Sequence, residues 1–211
     1  MTDDPAAVHG LRERKKQATR RALHDAALRL ALDRGLDHLT VEEISAAADV
    51  SVRTFFNYYP SKEEAILGDD LFPADVEKAK ALMLGAGSVL DGLQAITRSL
   101  AAEASTRPEQ VRMRWQLMDR YPALLPRMFV RLEEFDKALT VAVAARTGGA
   151  PGDTYPQLMA AVTTAAMRVA VRRWTAGNGD RPLEDHMNEV FGLLGNELSA
   201  PEQIPGRGGM S

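Results

Sequence analysis

The sequence predicts an all-α fold of about nine helices: an N-terminal three-helix domain with a helix-turn-helix, then a larger helical C-terminal domain. Two observations carry this. Apolar residues recur at helical spacing along most of the chain, and no stretch alternates apolar and polar residues as a strand does. Early in the chain, two short helix signatures with their own N-caps are separated only by the tight turn A-D-V at residues 48–50.

Taken in order, residues 1–10 are acidic and carry Pro5 and Gly10, so they are read as a disordered tail. A helix is predicted from about Arg14 to Arg34. Leu23, Ala27, Leu30 and Ala31 fall on one stripe, and Gly35 sits where a helix takes a left-handed closing residue. Thr40 N-caps the next helix, and Glu43 three residues on completes a capping box. Ile44 with Ala47 or Ala48 forms its buried face. Asp49 interrupts it, since aspartate tolerates left-handed backbone better than most residues, and Val50 reads as a buried plug. Ser51 caps a helix running to Tyr58 or Tyr59, which Pro60 stops. Ser61 and Glu64 form a second capping box and open a helix interrupted by Pro73. Two short helices across a tight turn are the layout whose second helix enters the major groove of DNA.

The rest reads as helix. Val89, Leu93, Ile96 and Leu100 give one stripe; Val111, Trp115 and Met118 give another, ending near Tyr121-Pro122. Leu125, Met128, Leu132, Phe135 and Leu139 give a long third. The glycine-rich stretches 147–153 and 175–182 are loops around an alanine-rich helix from about Tyr155 to Trp174. A last amphipathic helix spans 183–198, and residues 199–211 are a disordered tail. The predicted domains are therefore 11–66, with a basic arm at its start, and 67–198.

Composition narrows the function. The chain has 211 residues, 45% of them hydrophobic, enough for a real core. Cysteine is absent, which excludes disulfides and thiolate metal sites. No signal-peptide run or membrane-spanning segment is visible, so a soluble cytoplasmic protein is expected. The net charge of −3 argues against nucleic acid, but its distribution does not. Between Leu11 and Arg21 stand Arg12, Arg14, Lys15, Lys16, Arg20 and Arg21 against Glu13 alone, and local charge sets the field a phosphate feels. The plain alternative is a solvated basic terminus.

Residues 20–67 resemble the N-terminal domain of the tetracycline-repressor (TetR) family. The matching text is A-L-R-L-A-L-D-R-G-L-D-H-L-T-V-E-E-I-S-A-A-A-D-V-S-V-R-T-F-F-N-Y-Y-P-S-K-E-E. It follows the family frame of G, T-V, I-A, A-G-V-S, T-F-Y and S-K-E-E-L. Two positions depart. Asp49 replaces the usual turn glycine, and Phe56 keeps the ring of a frequent tyrosine without its hydroxyl, so a phosphate role is not carried onto Phe56.

Four aromatics fall within residues 55–59 out of twelve in the chain, so they need more than one explanation. Phe55 and Tyr59 share one side of the helix and are assigned to the three-helix core. Arg53 and Asn57, four apart, project together; Arg pairs bidentately with guanine and Asn with adenine, so these two are the candidates for base readout. Ser51, Thr54, Tyr58 and Lys62 suit phosphate contacts, as does Thr40 at a helix N-terminus. The basic arm is expected along the DNA backbone or in the minor groove.

A single helix-turn-helix offers few base contacts, so a homodimer reading a palindromic operator is expected. Helices 155–174, with Ala160, Ala161, Ala165, Ala166 and Ala170, and 183–198 are the candidate dimer surface; the resemblance implies a four-helix bundle with the partner. It also implies an effector pocket, for which Trp115, Met118, Phe129, Met159, Met167 and Trp174 are candidates, although such residues are more often plain core. Arg112, Arg114, Arg168, Arg172 and Arg173 suit an anionic head group on a lipophilic effector. No cofactor or metal is called for. An enzyme is disfavoured: four histidines stand without metal spacing, and no phosphate loop is present. A helical protein-binding scaffold is the remaining alternative.

Overall fold

The computed structural model describes residues 5–68, 75–177 and 181–199. Among these residues every regular element is helical. They are α1 (Pro5–Arg34), α2 (Val41–Ala47), α3 (Val52–Phe56), α4 (Lys62–Leu67), α5 (Val76–Leu84), α6 (Val89–Ser105), α7 (Pro108–Arg120), a 3-10 turn at Pro122–Leu124, α8 (Leu125–Thr147), α9 (Thr154–Ala176) and α10 (Leu183–Ser199). The chain forms two compact units. The first holds Met1–Val76 and Glu103–Ala138, and the second holds Glu77–Ala102 and Leu139–Ser211.

In the first unit, α1 is the central post, with α2, α4 and α7 packed against it. Leu23, Ala27, Leu28, Ala31, Ile44, Phe55 and Ile66 are fully buried there. Burying each large side chain contributes roughly 1.5–3 kcal/mol, which is what holds two helices as short as α2 and α3 in place. α7 joins this unit because Arg114, buried on α7, reaches His24 on α1 at 3.0 Å. The compact units therefore group residues 103–138 with the N-terminal helices, which a single cut near residue 66 does not anticipate.

In the second unit α9 and α10 pack on each other. Its core includes Met83, Leu93, Leu139, Val143, Met167, Ala170 and Phe191. Gly92 lets α6 approach α5 closely: a Cβ there would stand 2.5 Å from Met83 Sδ.

Several local readings change. α1 begins at Pro5, not near Arg14, so residues 5–10 are helical and the disordered-tail reading fails for them. Proline is well placed at a helix start, where its missing N–H has no partner to lose. α4 ends at Gly68 rather than at Pro73, because Gly68 takes φ 63°, a backbone that closes the helix. A separate helix α5 follows, which the sequence reading did not distinguish. α3 stops at Phe56, although Asn57 keeps helical dihedrals. Val50 is half-buried rather than a full plug. The second capping box is half made: Ser61 Oγ accepts from Glu64 N, but the Glu64 carboxylate goes to Arg127 and Arg131 on α8. Two arginines offer that carboxylate more than one backbone N–H does. Residues 1–4, 69–74 with Pro73, 178–180 and the tail from residue 200 lie outside the described residues.

Candidate nucleic-acid interface

The turn between α2 and α3 is built from local hydrogen bonds. Thr40 is extended, its hydroxyl accepts from Glu43 N, and the Glu43 carboxylate accepts from Thr40 N, so the capping box is complete. The Glu43 carboxyl is held below the usual carboxylate range, chiefly by the Thr40 backbone N–H, with help from the Thr40 hydroxyl and Arg34. Arg34 Nη1 donates to it at 2.6 Å, tying the end of α1 to α2. Ala48 N donates to Ile44 O and Val50 N to Ser45 O, which folds the turn back on α2. Asp49 takes φ 54°, the one non-glycine residue with positive φ among the described residues. A branched or bulky side chain would be strained there. Ser51 Oγ then accepts from Thr54 N and starts α3.

The faces of α3 separate by burial. Phe55 is 0% exposed and Tyr59 3%. Tyr59 OH donates to Arg20 O, and the Arg20 guanidinium lies 5.2 Å from the Tyr59 ring centroid. Tyr59 thus ties the segment after α3 to α1, Phe55 is buried in the core, and neither has a face left for DNA. Phe56 is 55% exposed, its ring meeting Phe55 edge-on at 5.4 Å. Arg53 and Asn57 are exposed, and among the described residues neither side chain has a protein partner. Two polar side chains with bidentate capacity stand beside each other, while the opposite face of the same helix is locked.

The remaining candidates fare unequally. Ser51 is exposed, and Thr54 and Tyr58 are half-buried, but the Ser51 and Thr54 hydroxyls are engaged with each other at 2.9 Å. Thr40 is exposed, with its hydroxyl in the capping box. The phosphate reading of Lys62 is corrected. Its Nζ donates to Leu36 O and Leu39 O, both at 2.8 Å, so its charge clamps the loop between α1 and α2. Leu36 O otherwise accepts only a 3.4 Å bond from Leu39 N, and an ammonium with three donors serves both carbonyls. The basic run is the N-terminal half of α1, not a flexible arm. Arg12, Arg14, Lys15, Lys16 and Arg21 are exposed along it, whereas Arg20 turns in toward Tyr59.

Of the effector candidates, Trp115 and Met118 are buried in the first unit and Met159, Met167 and Trp174 in the second. Phe129 is 55% exposed and leaves the set. It follows Met128 by one residue and is turned about 100° from the α8 stripe that packs. Sequence reasoning missed the Lys62 clamp, the Arg34–Glu43 pair and the His24–Arg114 contact, all between residues too far apart for periodicity to link.

With this geometry in place, comparison with known proteins is decisive. Residues 23–67 match the family described as bacterial regulatory proteins, tetR family, and residues 88–199, more than half the chain, match the MftR C-terminal domain. The chain belongs to the tetR family. The HTH-type transcriptional regulator TcmR of Streptomyces glaucescens is 37% identical over 183 residues, spanning 78% of this chain and 76% of its own. Thermus thermophilus FadR, a tetR-family repressor solved in complex with lauroyl-CoA, superposes with TM-score 0.55 at 25% identity, covering 90% of this chain and 100% of its own. Bacillus halodurans FadR, a fatty acid degradation regulator, shares the fold at TM-score 0.59 and 18% identity, covering 95% and 100%. The tetR-family chain is thus a DNA-binding transcriptional regulator, and α2–turn–α3 is its helix-turn-helix. No helix among the described residues is long and apolar enough to cross a membrane.

Proposed function

We propose that this tetR-family protein is a dimeric, ligand-responsive repressor that reads a palindromic operator with Arg53 and Asn57. The observation that carries the reading is that pair, on α3 and at its C-cap, exposed and without a side-chain partner among the described residues, while the other face of α3 is bound into the core. Ser51, Thr54, Tyr58 and the α2 N-terminus at Thr40 supply phosphate contacts. The exposed basic residues of α1, Arg12 to Lys16 and Arg21, add sequence-independent attraction.

Dimerisation through α9 and α10 is supported by an apolar stripe. Tyr155, Leu158 and Val169 are 49%, 55% and 48% exposed on α9, with exposed Ala161 and Ala165 between them. Their spacing keeps them on one side of the helix. Ala160, Ala166 and Ala170 point inward instead, so only part of the alanine set belongs to this surface.

The effector is a lipophilic molecule with an anionic head group, of the same acyl-thioester kind as the lauroyl-CoA held by the Thermus relative. Buried Trp115 supports a ligand contact: its Nε1 has no hydrogen-bond partner among the described residues. An unpaired buried donor costs roughly 1–3 kcal/mol, which a carbonyl on a ligand would offset. Effector binding favours a conformer unsuited to the groove, and DNA must weaken effector binding by the same factor. A gel shift with the DNA upstream of the protein's own gene tests the reading. Two protomers per operator, released by a long-chain acyl thioester, are expected; no shift on that DNA or on a library of random duplexes contradicts it.

A further inference from the structure

The first turn of α4 carries three consecutive charges, and they go to two different neighbours. Lys62 Nζ donates to Leu36 O and Leu39 O, in the loop that leads into α2. The carboxylates go to α8. Arg127 Nη1 donates to Glu64 Oε1 at 3.3 Å and Arg131 Nη2 donates to Glu64 Oε2, while Arg127 Nη2 stands 3.9 Å from Glu63 Oε2. All of these residues belong to the first unit. A single helical turn therefore links α8 to the approach of the helix-turn-helix.

Two helices with the same opening signature show what this link displaces. Thr40 and Glu43 open α2, Ser61 and Glu64 open α4, and both pairs have capping-box spacing. Glu43 closes its box on Thr40 N. Glu64 leaves its box open and accepts from two arginines one turn apart on α8. α4 has six residues, too few to hold an orientation of its own. Ala65, Ile66 and Leu67 are buried, but apolar contact is non-directional. Lys62 reaches its carbonyls on a flexible four-carbon stem. His24 Nδ1, 2.7 Å from Ala65 O, pins α4 to α1 at one point, about which it can pivot. The Glu64 carboxylate, gripped at both oxygens from α8, is the point that stops the pivot. The Glu64 and Arg131 side chains are 20% and 17% exposed, so salt screens them less than a surface pair.

We propose that Arg127 and Arg131 are positioning residues for operator binding: through Glu64 they set the angle at which α4 presents the helix-turn-helix to DNA. α3 ends at Phe56 and α4 begins at Lys62, so a tilt of α4 reaches α3 through residues 57–61. It reaches α2 through Lys62 and the loop at residues 36–39. Bidentate base readout tolerates little displacement, whereas attraction to phosphate is sequence-independent and forgiving. The two guanidiniums and two carboxylates sum to zero, so the cluster itself offers phosphate no net attraction. The proposal rests on DNA binding as the activity of this family. It does not depend on which α3 side chains read bases or on which effector the protein takes.

Fluorescence anisotropy of the full-length protein tests it, with an operator duplex selected from random sequences by the wild-type protein and a scrambled duplex of the same length. The double variant Arg127→Gln with Arg131→Gln should lose about tenfold in operator affinity and stay within about twofold on the scrambled duplex, since the basic face of α1 is intact. Arg131→Lys keeps a charge toward Glu64 and should stay within about threefold of wild type on both. Glu64→Gln alone should lose as much as the double variant, and combining all three substitutions should cost little more, because both arginines act through one carboxylate. Unchanged operator affinity in the double variant overturns the proposal, and a lowered urea midpoint with that affinity intact would make the cluster a stability element only. An equal loss on both duplexes would make the arginines phosphate contacts. Additive losses in the triple variant would place their action away from Glu64. In each case the wild-type preference for the operator, and the reading of Arg53 and Asn57, would stand.

Discussion

Arg53 and Asn57 differ from Phe55, Tyr59 and Lys62 in one respect: among the described residues their side chains have no partner. Phe55 is committed to the core, Tyr59 to Arg20 on α1, and Lys62 to two loop carbonyls. Lys62 shows where sequence reasoning stops. An ammonium near a recognition helix serves phosphate or carbonyl equally well by type, and the choice depends on how residues 36–39 fold. Lys62→Ala should therefore destabilise the protein by roughly 1–3 kcal/mol in urea unfolding, since it removes the Lys62 bond to Leu39 O and leaves Leu36 O only the long bond from Leu39 N. Its salt slope for DNA binding should stay unchanged, whereas a lost phosphate contact would lower that slope by about one. Phe56 is the converse case. Its ring is more than half exposed, so Phe56→Tyr adds a hydroxyl without disturbing the core. Operator affinity should rise by about 1 kcal/mol at unchanged base preference; a loss of affinity would place that ring away from the backbone.

At the scale of elements, the helix-turn-helix was legible because its signals are local. Thr40 with Glu43, Asp49 at its left-handed turn and Ser51 at its cap each act within three or four residues. Ser51→Ala should cost about 1 kcal/mol in the same unfolding assay, because it releases both the Thr54 N–H and the Thr54 hydroxyl. An unchanged midpoint would mean that packing of Phe55 alone sets α3. Less legible were endings and partners. Gly68 outranks Pro73 as a helix stop because backbone that turns left-handed ends a helix at once, while a proline acts only where the helix has already reached it. The Glu64 carboxylate leaves its cap for Arg127 and Arg131, more than sixty residues away, a choice no local pattern encodes.

For the whole molecule, the amphipathic stripes located α6 to α10 well, but periodicity alone does not say which face meets what. Phe129 passed as a pocket residue by type and fails by azimuth. The alanines of α9 divide between an inner and an outer face. Leu158→Asp on the outer face should shift the protein from dimer to monomer in sedimentation velocity and weaken operator binding with it. A dimer that survives the substitution would move the interface elsewhere. The central claim is that Arg53 reads a base from a locked helix. It is tested most directly by titrating wild type and Arg53→Ala against the operator and its single-base variants by fluorescence anisotropy. The account predicts a loss of about 1–3 kcal/mol on the operator and a relaxed preference at one base pair per half-site. Equal affinity with unaltered preference at every position would contradict it.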